Sequence, residues 1–350
     1  MTHPSHPPFR LGVFTRLVDR VDPGEIYLRG LTLFETAERL GFDVAWVAQH
    51  HLHNEGGLPS PLVFLAHAAA RTERITLATG IITLPLEDPL RLAEDAAVLD
   101  YLSGGRIELG FGSGGNDVTF SVFGRHLSNR QSDYDRAFAQ LHDALAGKPL
   151  VPDAPPLFPP ARPHLLATMW EAAMSLPSSV RAGQHGSGLL LARTAARSHE
   201  TEGQPLGEVQ KTFVDAYLAH YANTERPARI GLSRSVYVAK SRTEAIADAE
   251  PGIRRHAEIT AARTGRSPDA PVEELLARQD VHIGTPDEVI ASLRADPLLE
   301  RASDLIVQVH PVDPSPAKTL RSFELITAEV APALGWRPAS TRSLSSASPG

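Results

Sequence analysis

The fold of this chain is decided by the stretch Val44-Ala45-Trp46-Val47-Ala48-Gln49-His50-His51. Its first five residues are apolar, whereas a strand with one face in water would alternate apolar and polar side chains. An unbroken apolar run is typical of a parallel strand that is covered on both faces. The polar residues that follow mark the carboxyl end of this strand.

Similar short apolar runs recur along the chain, and helix-length amphipathic segments lie between them. The predicted strands are Leu11–Thr15, Asp43–Ala48, Ile75–Ile82, Ile107–Phe111, Leu165–Trp170, Gly188–Ala192, Ser235–Ala239 and Asp304–Val309. Eight strand–helix pairs in sequence predict an α/β fold of the (β/α)8 TIM-barrel type with insertions. A doubly wound sheet is the alternative, but no G-x-G-x-x-G phosphate motif follows the first strand.

Helix signals support this reading. The helix predicted over Tyr27–Leu40 stops at Gly41, a residue suited to a left-handed C-cap. The helices Pro61–Arg71 and Pro89–Leu102 begin with proline, whose missing N–H costs nothing in the first turn. These boundaries place one helix after each of the first three strands.

We expect the barrel to span residues 9–335, between an N-terminal tail (1–8) and a disordered, Ser- and Pro-rich C-terminal tail (336–350). Residues 148–163 are Pro-rich and predict a surface connection. Residues 194–206 are polar and follow the sixth strand directly. A loop in that place lies over the active face of a barrel, so it is a candidate lid.

Composition narrows the function classes. The chain has no cysteine, which excludes thiolate metal sites and a cysteine nucleophile, so redox chemistry would need a bound cofactor. The net charge of −7 and the lack of basic runs argue against nucleic acid and anionic membranes. The N-terminus does not resemble a signal peptide, and no apolar run reaches membrane-spanning length. We expect a soluble cytoplasmic protein.

Three histidines follow the second strand, and three interpretations compete for them. A neutral imidazole beside a bound cofactor can act as a proton acceptor. Alternatively, His51 and His53 point the same way in an extended segment and could bind zinc, but His310 and Asp304 complete no recognisable ligand set. The third interpretation makes them loop residues that satisfy backbone groups, which fits His53 best. Zinc is the weakest of the three interpretations, so no metal site is predicted, and for His50 and His51 the residues alone favour proton transfer over a purely structural role without deciding between them.

Small residues follow three other predicted strands. Gly80 would let a flat ligand approach the backbone, or would mark a bulge. Residues 110–116, rich in glycine, could form an anion-binding nest or a flexible turn. Ser175, Ser178 and Ser179 cluster where a helix begins, which suits a phosphate monoester or simple N-capping. Together these residues predict a cofactor site at the mouth of the barrel.

These stretches resemble the bacterial luciferase-like monooxygenases. The resemblance is dense from about Gly41 to Gly124 and looser through Gly188–Leu191. Its motifs are Gln49-His50-His51, Thr79-Gly80-Ile81-Ile82-Thr83-Leu84-Pro85, Pro89-Leu90-Arg91-Leu92-Ala93-Glu94-Asp95 and Leu99-Asp100-Tyr101-Leu102-Ser103-Gly104-Gly105-Arg106.

The resemblance implies a (β/α)8 fold that uses reduced FMN as cosubstrate. In luciferases the flavin reacts with O2 to give a C4a-hydroperoxide, which attacks an aldehyde. A separate flavin reductase would supply the reduced cofactor. Family members often dimerise through helices near strands two and three, so we expect a homodimer through Pro61–Arg71 and Pro89–Leu102.

The resemblance also implies residue roles. His50 would be the catalytic base and His51 its neighbour, and a non-prolyl cis peptide would join Gly80 to Ile81. Luciferase catalytic subunits carry Cys and a phosphate-binding Arg where this chain has Gly112 and Ser113, so Arg193 or Arg125 is the expected substitute, and light emission is not predicted. The predicted cofactor residues are Gly80, Ile81, Gly112, Ser113, Gly114, Trp170, Ser175, Ser178, Ser179 and Arg193.

The sequence therefore predicts an FMN-dependent monooxygenase that oxidises a small aldehyde or ketone. Three alternatives stay open at this point. They are a deazaflavin-dependent oxidoreductase that transfers hydride, a flavin-binding relative without catalysis, and a metal-dependent hydrolase on the same fold.

Overall fold

Parallel strands form one continuous sheet in the computed structural model, which describes residues 9–18, 21–52, 56–149, 151–153 and 155–338. The strands are β1 (Arg10–Thr15), β2 (Val44–Val47), β3 (Thr76–Thr79), β4 (Ile82–Thr83), β5 (Ile107–Glu108), β6 (Gly110–Gly112), β7 (Trp170–Ala173), β8 (Gly188–Leu191), β9 (Ile230–Val238), β10 (Val281–Gly284) and β11 (Asp304–Gln308).

The sheet closes on itself. Its order is β4-β6-β7-β8-β9-β11-β1-β2-β3-β5, and the pairs are parallel. Residues 76–83 carry both β3 and β4, and residues 107–112 carry both β5 and β6. Residues 76–83 and residues 107–112 therefore act as the third and fourth strands of an eight-stranded barrel, and the pairs β3–β5 and β4–β6 join them. The predicted (β/α)8 barrel is confirmed.

Helices surround the barrel and connect its strands. They are α1 (Pro23–Leu40), α2 (Pro61–Ala69), α3 (Pro89–Ser103), α4 (Asp117–Val122), α5 (Arg130–Leu145), α6 (Pro163–Ala167), α7 (Leu176–His185), α8 (Leu206–Ala219), α9 (Arg242–Thr264), α10 (Val272–Arg278), α11 (Pro286–Arg294), α12 (Pro316–Leu325) and α13 (Ala331–Ala333). Helix α1 ends as predicted, because Gly41 adopts a left-handed φ of 90° and caps it. None of the described helices is long and apolar enough to cross a bilayer.

One predicted strand is wrong. The run Leu165–Trp170 was expected to be the fifth strand, but Pro163–Ala167 forms α6 and the strand begins at Trp170. A short apolar run fits a buried helix turn as well as a strand, and Pro163 favours a helix start. The prediction also missed β10, which pairs with the outer half of β9 from Ser235 onward.

Two tryptophans fill the barrel interior. Trp46 and Trp170 meet edge to face, with ring centroids 5.6 Å apart. Glycines on the neighbouring strands make room for them. A Cβ on Gly12 would lie 2.9 Å from Trp46 Nε1, and a Cβ on Gly188 would lie 2.4 Å from Trp170 Cε3. The interior between these strands is thus a packed core.

A buried ion cluster closes the amino end of the barrel. Arg10 contacts Glu108 at 2.7 Å and Asp304 at 2.6 Å, and the Trp170 indole donates to Glu108 at 2.7 Å. Burial alone would raise the pKa of Glu108, but Arg10 and the Trp170 hydrogen bond outweigh it and the pKa is lowered. These residues stand at strand starts, so they lie at the end opposite the candidate site.

The C-terminal boundary of the barrel needs a correction. The tail was expected to begin at Trp336, but this indole is buried and donates to Asp43 Oδ2 at 2.8 Å. Trp336 therefore packs as part of the barrel at the start of the second strand. Residues 1–8 and 339–350 lie outside the described residues.

Candidate active site at the barrel mouth

The carboxyl ends of the strands bring the predicted polar residues to one mouth. His50 and His51 follow β2, and the Gly80–Ile81 peptide lies between β3 and β4. Ser113 follows β6, and Ser175 follows β7. Local sequence sets this arrangement, because each of these residues comes directly after a buried parallel strand.

His50 is held against a short loop. Its backbone N–H donates to Leu58 O at 2.8 Å. A Cβ on Gly56 would lie 2.4 Å from His50 Nδ1 and 2.8 Å from Arg16 O, so only glycine fits at this position. The imidazole is thereby confined between the loop and the end of β1.

His51 lies over an aromatic ring. Its imidazole centroid is 4.7 Å from that of Phe123. Burial lowers its pKa, against the opposing charge of Glu87, so the ring is neutral at pH 7. Its Nε2 is buried and has no hydrogen-bond partner within the described part of the chain. The ring can therefore accept a proton without first losing one.

Gln49 joins the histidine segment to the neighbouring strand. Its N–H donates to Ile81 O at 3.2 Å, and its Oε1 accepts from Thr83 N at 2.7 Å. Its Nε2 donates to Glu87 Oε1 at 2.6 Å and to Pro59 O at 3.2 Å. Sequence reasoning gave this residue no role, although it stands between a buried strand and His50.

The peptide between Gly80 and Ile81 is cis, as the family resemblance implied. A Cβ on Gly80 would lie 3.0 Å from Phe14, and a Cβ on Gly112 would lie 2.9 Å from Ile81. The Phe14 ring and the Ile81 side chain therefore leave no room for a larger residue at either position.

Two of the three predicted serines are available at the start of α7. Ser175 N donates to Ser178 Oγ at 3.2 Å, and the two hydroxyl oxygens are 3.0 Å apart. Ser179 is fully buried and its hydroxyl donates to Ser175 O at 3.0 Å. Ser178 Oγ donates to the same carbonyl oxygen at 2.9 Å, so it is burial, and not this bond, that keeps the Ser179 hydroxyl from the mouth while Ser175 and Ser178 stay accessible.

A cation lies near Ser113 that sequence reasoning missed. Gln131 Nε2 donates to Ser113 Oγ at 3.2 Å, and Arg181 Nη1 donates to Gln131 Oε1 at 2.6 Å. Arg181 also stacks over the Tyr134 ring at 4.2 Å. Its signal was its place on the same helix as Ser178. Arg125, one of the expected phosphate ligands, is exposed.

One predicted cofactor residue lies elsewhere, and another stays a prediction. Trp170 stands at the start of β7 and bonds Glu108 at the amino end of the barrel, so its assignment to the flavin site is wrong. The error follows from the misplaced fifth strand, which was expected to end at Trp170. Arg193 follows β8 as expected, and its charge contributes to lowering the pKa of His256 and His310. Its role toward the flavin phosphate stays a prediction.

The candidate lid is anchored by ion pairs. Arg197 binds Asp280 at 2.7 and 2.8 Å, and Glu202 pairs with Arg266 at 2.5 Å. Both partners precede β10, so the insertion around this strand holds the loop. The role of residues 194–206 as a lid stays a prediction.

A metal site finds no support in the described ranges. They contain no group of three or more His, Asp or Glu side chains placed to hold a metal ion. Asp304 is bonded to Arg10 at the amino end of the barrel, whereas His51 and His310 follow carboxyl ends. His53 lies outside the described residues.

Solved structures share this fold. A monooxygenase of Streptomyces bottropensis is 26% identical with a TM-score of 0.70, and the match covers 93% of this chain and 99% of that one. The oxygenating constituent of 3,6-diketocamphane monooxygenase from Pseudomonas putida, solved with FMN, has a TM-score of 0.71 at 20% identity and 93% and 98% coverage. A coenzyme F420-dependent tetrahydromethanopterin reductase of Methanopyrus kandleri has 0.67 at 18%, with 94% and 100% coverage.

Sequence comparison gives the family. A 4-hydroxyprotoasukamycin monooxygenase of Streptomyces nodosus subsp. asukaensis is 30% identical over 333 residues, which is 89% of this chain and 88% of that protein. The sequence model of the luciferase-like monooxygenases matches residues 10–300. The family predicted from the sequence is thus confirmed, and this chain belongs to the luciferase-like monooxygenases.

Proposed function

We propose that this chain uses reduced FMN and O2 to oxidise a small organic substrate of the aldehyde or ketone class. The observation that carries the proposal is the joint placement of His50 and His51 beside the Gly80–Ile81 peptide, with Gln49 bonded to both segments. A base and small residues that admit a flat ring at one mouth are what flavin chemistry needs.

The residues at the mouth fit FMN. The isoalloxazine ring would lie against Gly80, Ile81 and Gly112, where the two glycines would let a flat ring approach the backbone closely. The phosphate would bind near Ser113, Gly114, Ser175 and Ser178. The amino end of α7 carries the positive end of a helix dipole, which favours a phosphate there.

Gly114 supports the phosphate end of this assignment. It has a φ of +68°, and a Cβ there would lie 2.5 Å from Thr83 Cγ2. Glycine is therefore required by both the backbone conformation and the space. The same small residue leaves the backbone N–H groups of this turn open to an anion.

When bound, reduced FMN would supply two electrons, so that one oxygen atom of O2 enters the substrate and the other leaves as water. The chain's own residues would manage protons. His50, fixed by Leu58 and Gly56, would hold the transferred proton. His51 is neutral and half-buried next to it. A positioned base of this kind contributes about 10²–10⁴-fold to rate.

The test is a fluorescence titration of the purified protein with oxidised FMN, reduced FMN and a deazaflavin. We expect reduced FMN to bind most tightly, and turnover to follow when aldehydes and ketones are screened with a flavin reductase. Tighter binding of the deazaflavin would replace the proposal with hydride transfer. Binding of none of the three would overturn it.

Deazaflavin-dependent hydride transfer is the second candidate. The specific observation in its favour is the fold shared with an F420-dependent reductase. Against it stand His50 and His51, since the resemblance gives this pair to FMN enzymes. A binder without catalysis is a weaker candidate, because it would not need a base at His50.

The same proposal includes a homodimer. The outward side of α2 and α3 carries large apolar side chains, with Val63 and Leu102 each 71% exposed and Val98 and Tyr101 also exposed. A second copy packed on these helices would bury them. Light scattering at micromolar concentration tests this, and a monomer mass would contradict it.

A separate flavin reductase would supply the reduced cofactor.

A further inference from the structure

A chain of hydrogen bonds leads to Ser113, one of the residues of the proposed phosphate site. Gln131 Nε2 donates to Ser113 Oγ at 3.2 Å, and Arg181 Nη1 donates to Gln131 Oε1 at 2.6 Å. The Nε atom of Arg181 lies 3.4 Å from Oε2 of Glu171. The flavin contacts proposed above include Ser113 but give no role to the other three residues.

The chain begins at a carboxylate that is fixed in the protein. Glu171 belongs to β7 and is fully buried. The Tyr134 hydroxyl donates to its Oε2 at 2.9 Å, and His185 Nδ1 lies 2.8 Å from its Oε1. Both oxygens are therefore held, and Glu171 is a firm anchor for Arg181.

The guanidinium of Arg181 is held on three sides. Its Nε lies against Glu171, and its Nη1 donates to Gln131. Its central carbon lies 4.2 Å from the centre of the Tyr134 ring. The side chain is 15% exposed, and Nη1 is also 3.6 Å from Asp135 Oδ1. Two carboxylates thus oppose the charge of Arg181, so its main contribution to the site is a donor in a fixed position.

This donor fixes which way the amide of Gln131 points. A guanidinium can only donate, so the atom that faces Arg181 must be the acceptor Oε1. The opposite orientation would place two donor groups against each other. Nε2 therefore faces Ser113, and because an amide nitrogen only donates, Ser113 Oγ is the acceptor of this bond.

Two protons are left open by this arrangement. The hydroxyl proton of Ser113 and the second amide proton of Gln131 have no acceptor within the part of the chain that the structure describes. Ser113 is half-buried and Gln131 is exposed, so a ligand can reach both. Two neighbouring donors suit a group with several acceptor oxygens, and a phosphate ester offers three.

The hydrogen bonds also join the elements that carry the proposed phosphate site. Ser113 follows β6, and Gln131 lies in the first turn of α5. Ser178 and Arg181 are three residues apart on α7, so they lie on the same side of that helix. Helix α7 follows β7, which pairs with β6 in the sheet. The open donors therefore lie at the same part of the mouth as the amino end of α7.

We propose that Gln131 binds the phosphate of the flavin, and that Arg181 and Glu171 act as positioning residues for it. Gln131 donates one amide proton to the phosphate and the other to Ser113, whose hydroxyl donates to the same phosphate. The proposal rests on the proposed function for the identity of the flavin. A hydrogen bond to a charged group of this kind changes affinity about tenfold or more.

Titrations with FMN and with riboflavin, which lacks the phosphate, test the assignment. Gln131→Leu removes both amide donors, so it should weaken FMN about tenfold or more and leave riboflavin unchanged. Gln131→Glu should weaken FMN further, because the carboxylate repels the phosphate. The control is Gln140→Leu, at an exposed glutamine of the same helix, which should bind both flavins as the native protein does. Native FMN affinity in Gln131→Leu, or equal losses for the two flavins, would overturn the proposal.

A double-mutant cycle tests the positioning role of Arg181. Arg181→Lys keeps a positive charge beside Glu171 but loses the planar group that bonds Glu171 and Gln131 together, so FMN should bind more weakly. In the Gln131→Leu background the same change should have little further effect, because a positioning residue acts only through the side chain that it positions. Additive losses would show that Arg181 acts on the phosphate directly. Circular dichroism would verify that each variant is folded.

Phenyl phosphate separates this proposal from the proposed function, because it is a phosphate ester without a flavin. Calorimetry would compare its affinity for the native protein and for Gln131→Leu. If no flavin binds but phenyl phosphate binds the native protein about tenfold more tightly, the proposed function fails and the phosphate site stands. If flavins bind and Gln131→Leu affects neither FMN nor phenyl phosphate, the phosphate role of Gln131 fails and the proposed function stands. If neither flavins nor phenyl phosphate bind, both fail.

Discussion

The side chain of Gln49 accepts a hydrogen bond from the backbone of Thr83, with Oε1 2.7 Å from N. Through this bond the segment that carries His50 is fixed to the segment that carries the Gly80–Ile81 peptide. Both groups proposed for the flavin reaction are therefore held in one frame. The bond is buried, so water cannot replace it at low cost.

Replacing Gln49 tests this frame. Gln49→Ala leaves Thr83 N–H and the Glu87 carboxylate without this partner, which should cost about 1–3 kcal/mol in the free energy of unfolding. Flavin affinity should fall as well. Urea denaturation and a flavin titration would measure both, and Gln140→Ala, at an exposed glutamine of α5, should change neither. Native flavin affinity in Gln49→Ala would show that the frame is not needed.

His50 should be essential for turnover and dispensable for folding. His50→Ala should reduce turnover about 10²–10⁴-fold, because a positioned base is lost. Binding of reduced FMN and the unfolding midpoint should stay close to native. Steady-state kinetics with a substrate found by screening provides the measurement.

The matched control for this variant is His220→Ala, since this exposed ring only bonds Ala216 O in its own helix at 2.9 Å. It should retain native turnover. If His50→Ala also did so, His50 would not be the base.

The hydroxyl of Ser178 should contribute to phosphate binding. Ser178→Ala should weaken FMN about tenfold, since a hydrogen bond to a charged group is lost. Riboflavin has the same ring without the phosphate, so its affinity should not change. Comparison of the two titrations isolates the phosphate contact. Ser132→Ala, at an exposed hydroxyl of α5, is the control, and equal losses for both flavins in Ser178→Ala would refute the assignment.

Acid should weaken the fold through Glu108. Its folded pKa lies below the ordinary value of 4.5, so its charge contributes stability that is present above that value and lost as pH falls below it. Glu108→Gln should cost about 3 kcal/mol near pH 7, because Arg10 loses a buried partner.

The same variant should lose less stability on acidification than the native protein. Urea denaturation at pH values above and below 4.5 would measure how the free energy of unfolding depends on pH in the variant and in the native protein. Glu324→Gln, at an exposed residue of α12, should follow the native curve. Parallel curves for Glu108→Gln and the native protein would show that this carboxyl does not carry the dependence.

The local sequence pattern was enough to predict most of the fold and the histidine pair of the candidate site. The apolar run Val44–Val47 marks a parallel strand because the sheet is covered on both faces. Gly41 ends α1 because glycine tolerates a left-handed φ. His50 and His51 reach the mouth because the carboxyl ends of parallel strands meet there.

The positions of some residues depend on the tertiary structure and cannot be predicted from the local sequence pattern. Periodicity does not distinguish a short buried helix from a strand, so Trp170 was assigned to the wrong end of the barrel. The sequence places Trp336 at the start of a Ser- and Pro-rich tail, but in the structure its indole donates a hydrogen bond to Asp43. In each case a distant partner, and not the neighbouring residues, fixes the position.

The candidate site also combines features that the sequence determines with contacts that only the folded barrel provides. The sequence by itself determined the barrel, the family and the histidine pair, because chain neighbours and strand ends specify them. The contact of Arg16 with His310, 294 positions apart, and that of Gln49 with Thr83 exist because the barrel closes. Hydrogen bonds between distant residues depend on side-chain placement in space, which the folded barrel alone provides.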